Sequence, residues 1–187
     1  GWQRNGFLMK MNKENGEVIW INTFKDSFPK TQPTQIEKLK DSKYIIRQER
    51  TFSVYDSNNS YYGSFEMPYA SSGGIQDFTT NNNGDIFLVG SHTGSFSYDG
   101  DIRANFSNNS HQGYIMKLDK DFDFQWIIPY KNGAYTFVGK IDYDESKDNI
   151  VVWSHYRALT NIDPLGSNLE VSPYQNNSSS LIASYDN

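Results

Sequence analysis

The sequence contains no cysteine, so disulfides, thiolate metal sites and thiol nucleophiles are excluded together. No apolar run approaches the roughly 18 residues of a membrane-spanning helix, and the first residues show no signal-peptide pattern. Helical periodicity is scarce: Gln35 to Lys43 has a helical flavour, but without the length or caps of a helix. Basic clusters are missing as well. Lys and Arg number 17 against 22 Asp and Glu, a formal net charge of −5, and no basic patch offers the footprint that nucleic-acid or anionic-membrane binding requires. The mean hydropathy of −0.70 is polar for a globular chain. Yet 16% aromatics is too many for a disordered one. These 187 residues therefore read as one folded domain, or a piece of one, with thin hydrophobic layers.

What is present is a series of short apolar segments bounded by Asn, Asp, Gly and Ser. Strands are expected near 6–11, 18–22, 85–90, 114–118, 124–128 and 149–153, rich in β-branched and aromatic residues. Asn15-Gly16, Asn83-Gly84, Asp99-Gly100 and Asn132-Gly133 are turn signals between them. The chain reads as all-β.

The sequence also repeats internally. Gly6-Phe7-Leu8-Met9-Lys10-Met11-Asn12-Lys13 aligns with Gly113-Tyr114-Ile115-Met116-Lys117-Leu118-Asp119-Lys120, and Val18 to Ile21 with Phe124 to Ile127. Ser180 to Asp186 begins a third copy, and Thr51 to Asp56 with Tyr61 to Phe65 forms a degenerate fourth. A second unit, Ile75 to Phe78 with Asp85 to His92, recurs at Val138 to Ile141 with Asp148 to His155, and in shorter form at Ile36 to Leu39 with Lys43 to Ile46. Naming the second unit AB and the hairpin CD, the chain reads CD–ABCD–ABCD–ABC. Four antiparallel strands recurring every forty-odd residues are the arithmetic of a β-propeller blade. The expected division is a half blade at 6–24, blades at 34–68 and 74–130, and an incomplete blade at 135–187. Two B-to-C connections, Thr93 to Gln112 and Arg157 to Ser179, have room for extra strand pairs, suggested at Ser95 to Tyr98 and Asn168 to Val171. The count gives C twice and no closing D, so a segment of a longer propeller is expected, with an unpaired edge at 181–185.

The runs Gly84-Asp85-Ile86-Phe87-Leu88-Val89-Gly90-Ser91, Gly94 to Gly100 and Gly113 to Asp119 with Trp126 resemble the SBBP-type β-propeller repeat of bacterial secreted and cell-surface proteins. The likeness is best over 74–130 and weakest over 31–68, where Gly63 replaces the hairpin Trp. The resemblance implies a propeller, a secreted or surface location and a scaffold or binding role. It supplies no catalytic residues.

Asp119-Lys120-Asp121-Phe122-Asp123 has the alternating carboxylates of a calcium loop, but it falls at a C–D turn, where Asp is favoured by turn chemistry. Asn12 to Glu17 and Asp56 to Ser60, the equivalent turns, do not keep the alternation. Asn81 to Asp85 and Asp142 to Asp144 read as A–B turns. His92 and His155 share one repeat position, which argues for structure rather than shared ligation, and His111 lies in a polar loop. Serines lack a Gly-x-Ser-x-Gly elbow, and no carboxylate pair stands out for glycoside hydrolysis. No catalytic, metal or cofactor residue is therefore assigned.

Trp20 and Trp126 invite sugar stacking but share one place in strand D, so repeat packing is the simpler reading. Tyr61, Tyr62, Tyr69, Tyr130, Tyr135 and Tyr174 fall outside the repeat frame, and Tyr beside Asn and Ser is the composition of recognition loops. Asn58, Asn105, Asn108 and Asn176 begin glycosylation sequons, which chance explains in an Asn- and Ser-rich chain. The expectation is a non-catalytic scaffold or module for a protein or glycan partner. A part of a polysaccharide-active propeller enzyme and an intracellular interaction propeller are the alternatives.

Overall fold

A computed structural model describes residues 6–24, 33–39, 42–67, 74–107, 109–131, 135–163, 166, 169–174 and 178–186. The chain divides into two units, Gly1–Glu66 and Met67–Asn187. The described residues form strands joined by turns, with no α-helix among them. Gln35 to Lys38, inside the stretch with a helical flavour, is itself a strand.

The first unit opens with a two-stranded hairpin, β1 (Gly6–Met11) and β2 (Val18–Phe24). A four-stranded antiparallel meander follows: β3 (Gln35–Lys38), β4 (Tyr44–Gln48), β5 (Thr51–Tyr55) and β6 (Tyr61–Glu66), hydrogen-bonded in that order. Ile45, Ile46, Phe52 and Val54 are buried. Phe52 and Phe65, opposite each other across β5 and β6, stack with centroids 4.7 Å apart. In the hairpin, by contrast, Phe7, Met11, Ile19 and Ile21 are exposed.

The second unit holds a four-stranded sheet and a three-stranded one. The first comprises β7 (Gly74–Thr80), β8 (Ile86–His92), β11 (Gln112–Leu118) and β12 (Phe124–Pro129), ordered β7-β8-β11-β12. Between β8 and β11 the chain inserts a separate hairpin, β9 (Ser95–Tyr98) and β10 (Asp101–Asn105). Its turn residues Asp99 and Gly100 both have positive φ, 52° and 85°, the backbone that a tight Asp-Gly turn supplies. The second sheet is β13 (Thr136–Asp144), β14 (Asn149–Tyr156) and β17 (Ser179–Asp186). A short pair, β15 (Thr160–Asn161) and β16 (Glu170–Val171), lies between β14 and β17 in the chain. The strand pairs suggested in the two long connections are thus present. β17 pairs with β14 from Ser179 to Asp186, and among the described residues no strand lies on its other side.

The repeat is visible in irregularities as well as in strand order. All three C–D hairpins shift register at the same place, between Lys10 and Met11, Val54 and Tyr55, and Lys117 and Leu118. Two of the A–B pairs shift between Ile75 and Asp77 and between Val138 and Lys140. Bulges re-aim side chains, so their recurrence means that equivalent residues turn the same way in successive sheets.

The core of the second unit lies between its two sheets. Phe87, Val89 and Ile115 meet Val138, Ile141, Ile150 and Val152, with Tyr130 and Ile162 joining them. Leu181, Ala183 and Tyr185 of β17 pack against this layer, while Ile182 on the other face is exposed. A buried carboxylate also ties the sheets together. Asp77 accepts the Ile141 N–H at 3.2 Å and lies 3.4 Å from the Lys140 ammonium. Every residue of β8 is buried, because the inserted hairpin and the strands around it leave neither face open. Phe96 and Phe106 contact both the His92 and the Tyr114 rings, and the Tyr98 hydroxyl donates to the Phe122 carbonyl at 2.8 Å.

Candidate functional site

The carboxylate-rich turns are built by turn chemistry. Asp119 Oδ1 accepts the N–H groups of Asp121 and Asp123 at 2.9 and 3.0 Å, and Oδ2 accepts from Gln125 Nε2 at 2.9 Å. Asp56 accepts from Asn58 and Ser60, and Asn81 from Asn83 and Asp85, in the same pattern. The Ser60 N–H, helped by that of Asn58, holds the Asp56 carboxyl below the usual carboxylate range. Asp121 is ion-paired with Lys120. Among the described residues, no group of three or more His, Cys, Asp or Glu side chains is placed to hold a metal ion.

The two equivalent histidines have different surroundings. His92 is buried against Phe96 and Phe106, its Nε2 3.1 Å from the Ser95 carbonyl oxygen, whereas His155 is half-buried. His111 packs near Tyr135. Burial lowers the His92 pKa below its ordinary 6.5, partly opposed by the Ser95 carbonyl. As the pH falls, the unfolded chain therefore takes up this proton before the folded one does. The contribution is fully present above about pH 6.5 and is lost as the pH falls toward the folded-state pKa. Melting curves are expected to move to lower temperature between about pH 7.5 and pH 5, and H92Q should reduce that movement. An equal movement in wild type and variant would overturn this assignment.

The tyrosines outside the repeat frame separate into three kinds. Tyr130 is not a recognition residue: it is wholly buried, and its hydroxyl meets that of Tyr185 at 2.7 Å. Burial holds the Tyr130 hydroxyl well above its usual pKa. Tyr135 is half-buried beneath the Arg157 guanidinium. Tyr61, Tyr62 and Tyr174 are exposed, the first two on β6 rather than in a loop. Tyr69 lies outside the described residues, as do the sequon residues Asn108 and Asn176.

Trp20 and Trp126 share a frame position but not an environment. Trp126 packs beside Phe87 against the core of the second unit. On the same hairpin Lys117, at the position of Lys10, forms a largely buried ion pair with Asp85 at 3.0 Å. Trp20 instead stacks on Tyr44, with centroids 5.9 Å apart and planes 21° apart. Tyr44 in turn stacks on Tyr55, which meets Tyr61 edge-on. The Trp20 indole N–H and the Lys10 ammonium both donate to the Ser57 carbonyl, at 3.3 and 3.1 Å. Burial, followed by Tyr55 and Asp56, pushes the Tyr44 pKa up to about 12. Its hydroxyl thus stays neutral and donates to Asn59 Oδ1 at 2.9 Å.

Beside this aromatic row lies an open groove of ≈ 370 Å³, bounded by Leu8, Trp20 and Ile36 and by the lysines at 10, 38 and 43. Its volume is within the range of small-ligand sites, about 300–1,000 Å³. Lys43 also places its ammonium 3.6 Å from the centroid of Tyr62. Sequence reasoning missed Lys10, Lys43, Tyr44 and Ser57. A signal was available for Lys10: its repeat counterpart Lys117 is neutralised by a strand-B aspartate, and β1–β2 is a hairpin paired with no strand B among the described residues.

No protein-family model and no curated protein matches the sequence. Among solved structures, the chain is similar to a crystal structure of a protein of unknown function from Bacteroides caccae, with a TM-score of 0.53 and 10% identity. The match covers 100% of this chain and 55% of that one, so the chain spans about half the length of its structural relative. At this identity the likeness is one of fold alone.

Proposed function

We propose that the chain is a segment of a β-propeller that serves as a non-catalytic scaffold or binding module of a secreted or surface-exposed bacterial protein, with a protein or glycan as its partner. Recurring strand order, recurring bulges and the resemblance to the SBBP-type repeat support the propeller reading; the same resemblance supports the location. The observation that carries the binding role is the open groove beside the aromatic row. Aromatic faces with polar groups at their edges make recognition surfaces without reactive groups.

A glycan array and a hydrolase screen with the same polymers test this reading. The expected result is retention of one or more ligands with no released product. Polysaccharide turnover would replace it with the enzyme reading. Absence of any glycan or protein ligand would remove the binding role.

A further inference from the structure

We propose that the groove of the first unit binds an acidic polysaccharide, a chain of pyranose rings carrying carboxylates, with Trp20 taking a ring face and Lys10 and Lys43 taking the charge. The proposal rests on the binding-module reading above and adds the ligand class.

Charge comes first. The chain is net negative, yet among the described residues the groove is lined by three lysines and by no Asp or Glu. Asp56, next to lining residue Ser57, points its Oδ1 at the N–H groups of its own turn. Lys10 and Lys43 have no carboxylate partner among the described residues, whereas Lys117, at the position of Lys10, has Asp85.

Donor and acceptor counts agree with this. The Ser57 carbonyl has two lone pairs and already receives two donors, Lys10 and Trp20. The Lys10 ammonium carries three protons and uses one there. At this point the groove offers donors and little acceptor capacity, which suits an anionic, oxygen-rich ligand.

Shape then distinguishes a sugar from an acidic peptide. Trp20 is fixed by its N–H bond and by Tyr44 on one face, so the indole is a rigid surface at the groove wall. The planar indole, with Leu8 and Ile36 also lining the groove, offers apolar surface that the C–H face of a pyranose covers and a flexible glutamate chain does not. In the second unit the equivalent wall is occupied, Trp126 against Phe87 and Lys117 against Asp85. One repeat position is therefore packing in one copy and surface in the other.

The test is affinity electrophoresis of the whole chain in polygalacturonate, dextran or poly-L-glutamate, at low and high salt. Polygalacturonate is expected to retard the wild type, less so at high salt, while dextran and polyglutamate leave it unaffected. The doubly substituted K10Q/K43Q should bind polygalacturonate about tenfold more weakly or worse. The charge-matched K120Q/K147Q, which removes two lysines of the second unit and none of the groove's lining, should bind like wild type. W20F, which keeps an aromatic face, should retain more binding than W20A, with circular dichroism confirming that each variant is folded.

Equal retardation of K10Q/K43Q and wild type would overturn the assignment to this groove. Polyglutamate binding as strong as polygalacturonate binding would overturn the sugar. Absence of polygalacturonate binding would overturn the proposal outright. Retention of a neutral glycan or a protein, unaffected by K10Q/K43Q, would also overturn it while leaving the binding-module reading standing.

Discussion

Truncating Phe87 to alanine is expected to destabilise the second unit by about 3–5 kcal/mol. The side chain is fully buried on the central, doubly covered strand β8. It belongs to the layer shared by the two sheets, meets Trp126 at a centroid distance of 6.2 Å, and lies 5.2 Å beneath the Lys117 ammonium. Alanine would remove the ring from both sheets and leave a cavity that β strands fixed by ladders on both sides cannot close. It would also expose one wall of the Lys117–Asp85 pair. Urea unfolding monitored by Trp fluorescence and circular dichroism measures the loss. A cost below about 1 kcal/mol would mean that the layer is not packed as described.

The second large effect concerns a backbone contact. A Cβ on Gly90 would run into the Gly74 carbonyl oxygen and come 2.9 Å from the Tyr114 hydroxyl. Gly90 is paired on both sides, with Tyr114 on β11 and Ile75 on β7. Neither neighbour can withdraw without breaking a ladder. G90A is therefore expected to cost about 2–3 kcal/mol by overpacking. G63A is the control within the same chain. Nothing lies within 4 Å of a Cβ at Gly63 and its φ is not left-handed, so alanine there should be neutral or gain about 0.4–1 kcal/mol from reduced unfolded-state entropy. Thermal melts of the two variants, compared side by side, decide the point: equal behaviour would refute the close approach.

Much of the architecture was legible because strand pairing here is mostly local. The likeness of Gly6–Met11 to Gly113–Leu118 marked both as first strands of hairpins, and Asp99-Gly100 marked the inserted turn. What escaped is what the repeat does not encode. Tyr130 falls outside the frame and looks like a loop tyrosine, yet its hydroxyl partner Tyr185 comes from β17, 55 residues away. A partner that distant leaves no local pattern. The groove escaped for the opposite reason. Trp20 and Trp126 look identical in frame, and only the neighbour differs: Tyr44 beside one and Phe87 beside the other. Repeat logic weights what is shared, and a binding surface lies where the copies diverge.

The inserted hairpin β9–β10 has a kinetic consequence. Most ladders join strands adjacent in the chain, and such contacts form early because little loop entropy opposes them. The β8–β11 ladder must instead bridge the whole insertion, and β14–β17 must bridge the segment that holds β15 and β16. A folded β9–β10 hairpin, its turn already shaped by Asp99 and Gly100, shortens the free chain between β8 and β11 before they meet. The insertion thus acts as a splint for its own sheet, because a hairpin that closes on itself lowers the loop entropy that the β8–β11 ladder has to overcome.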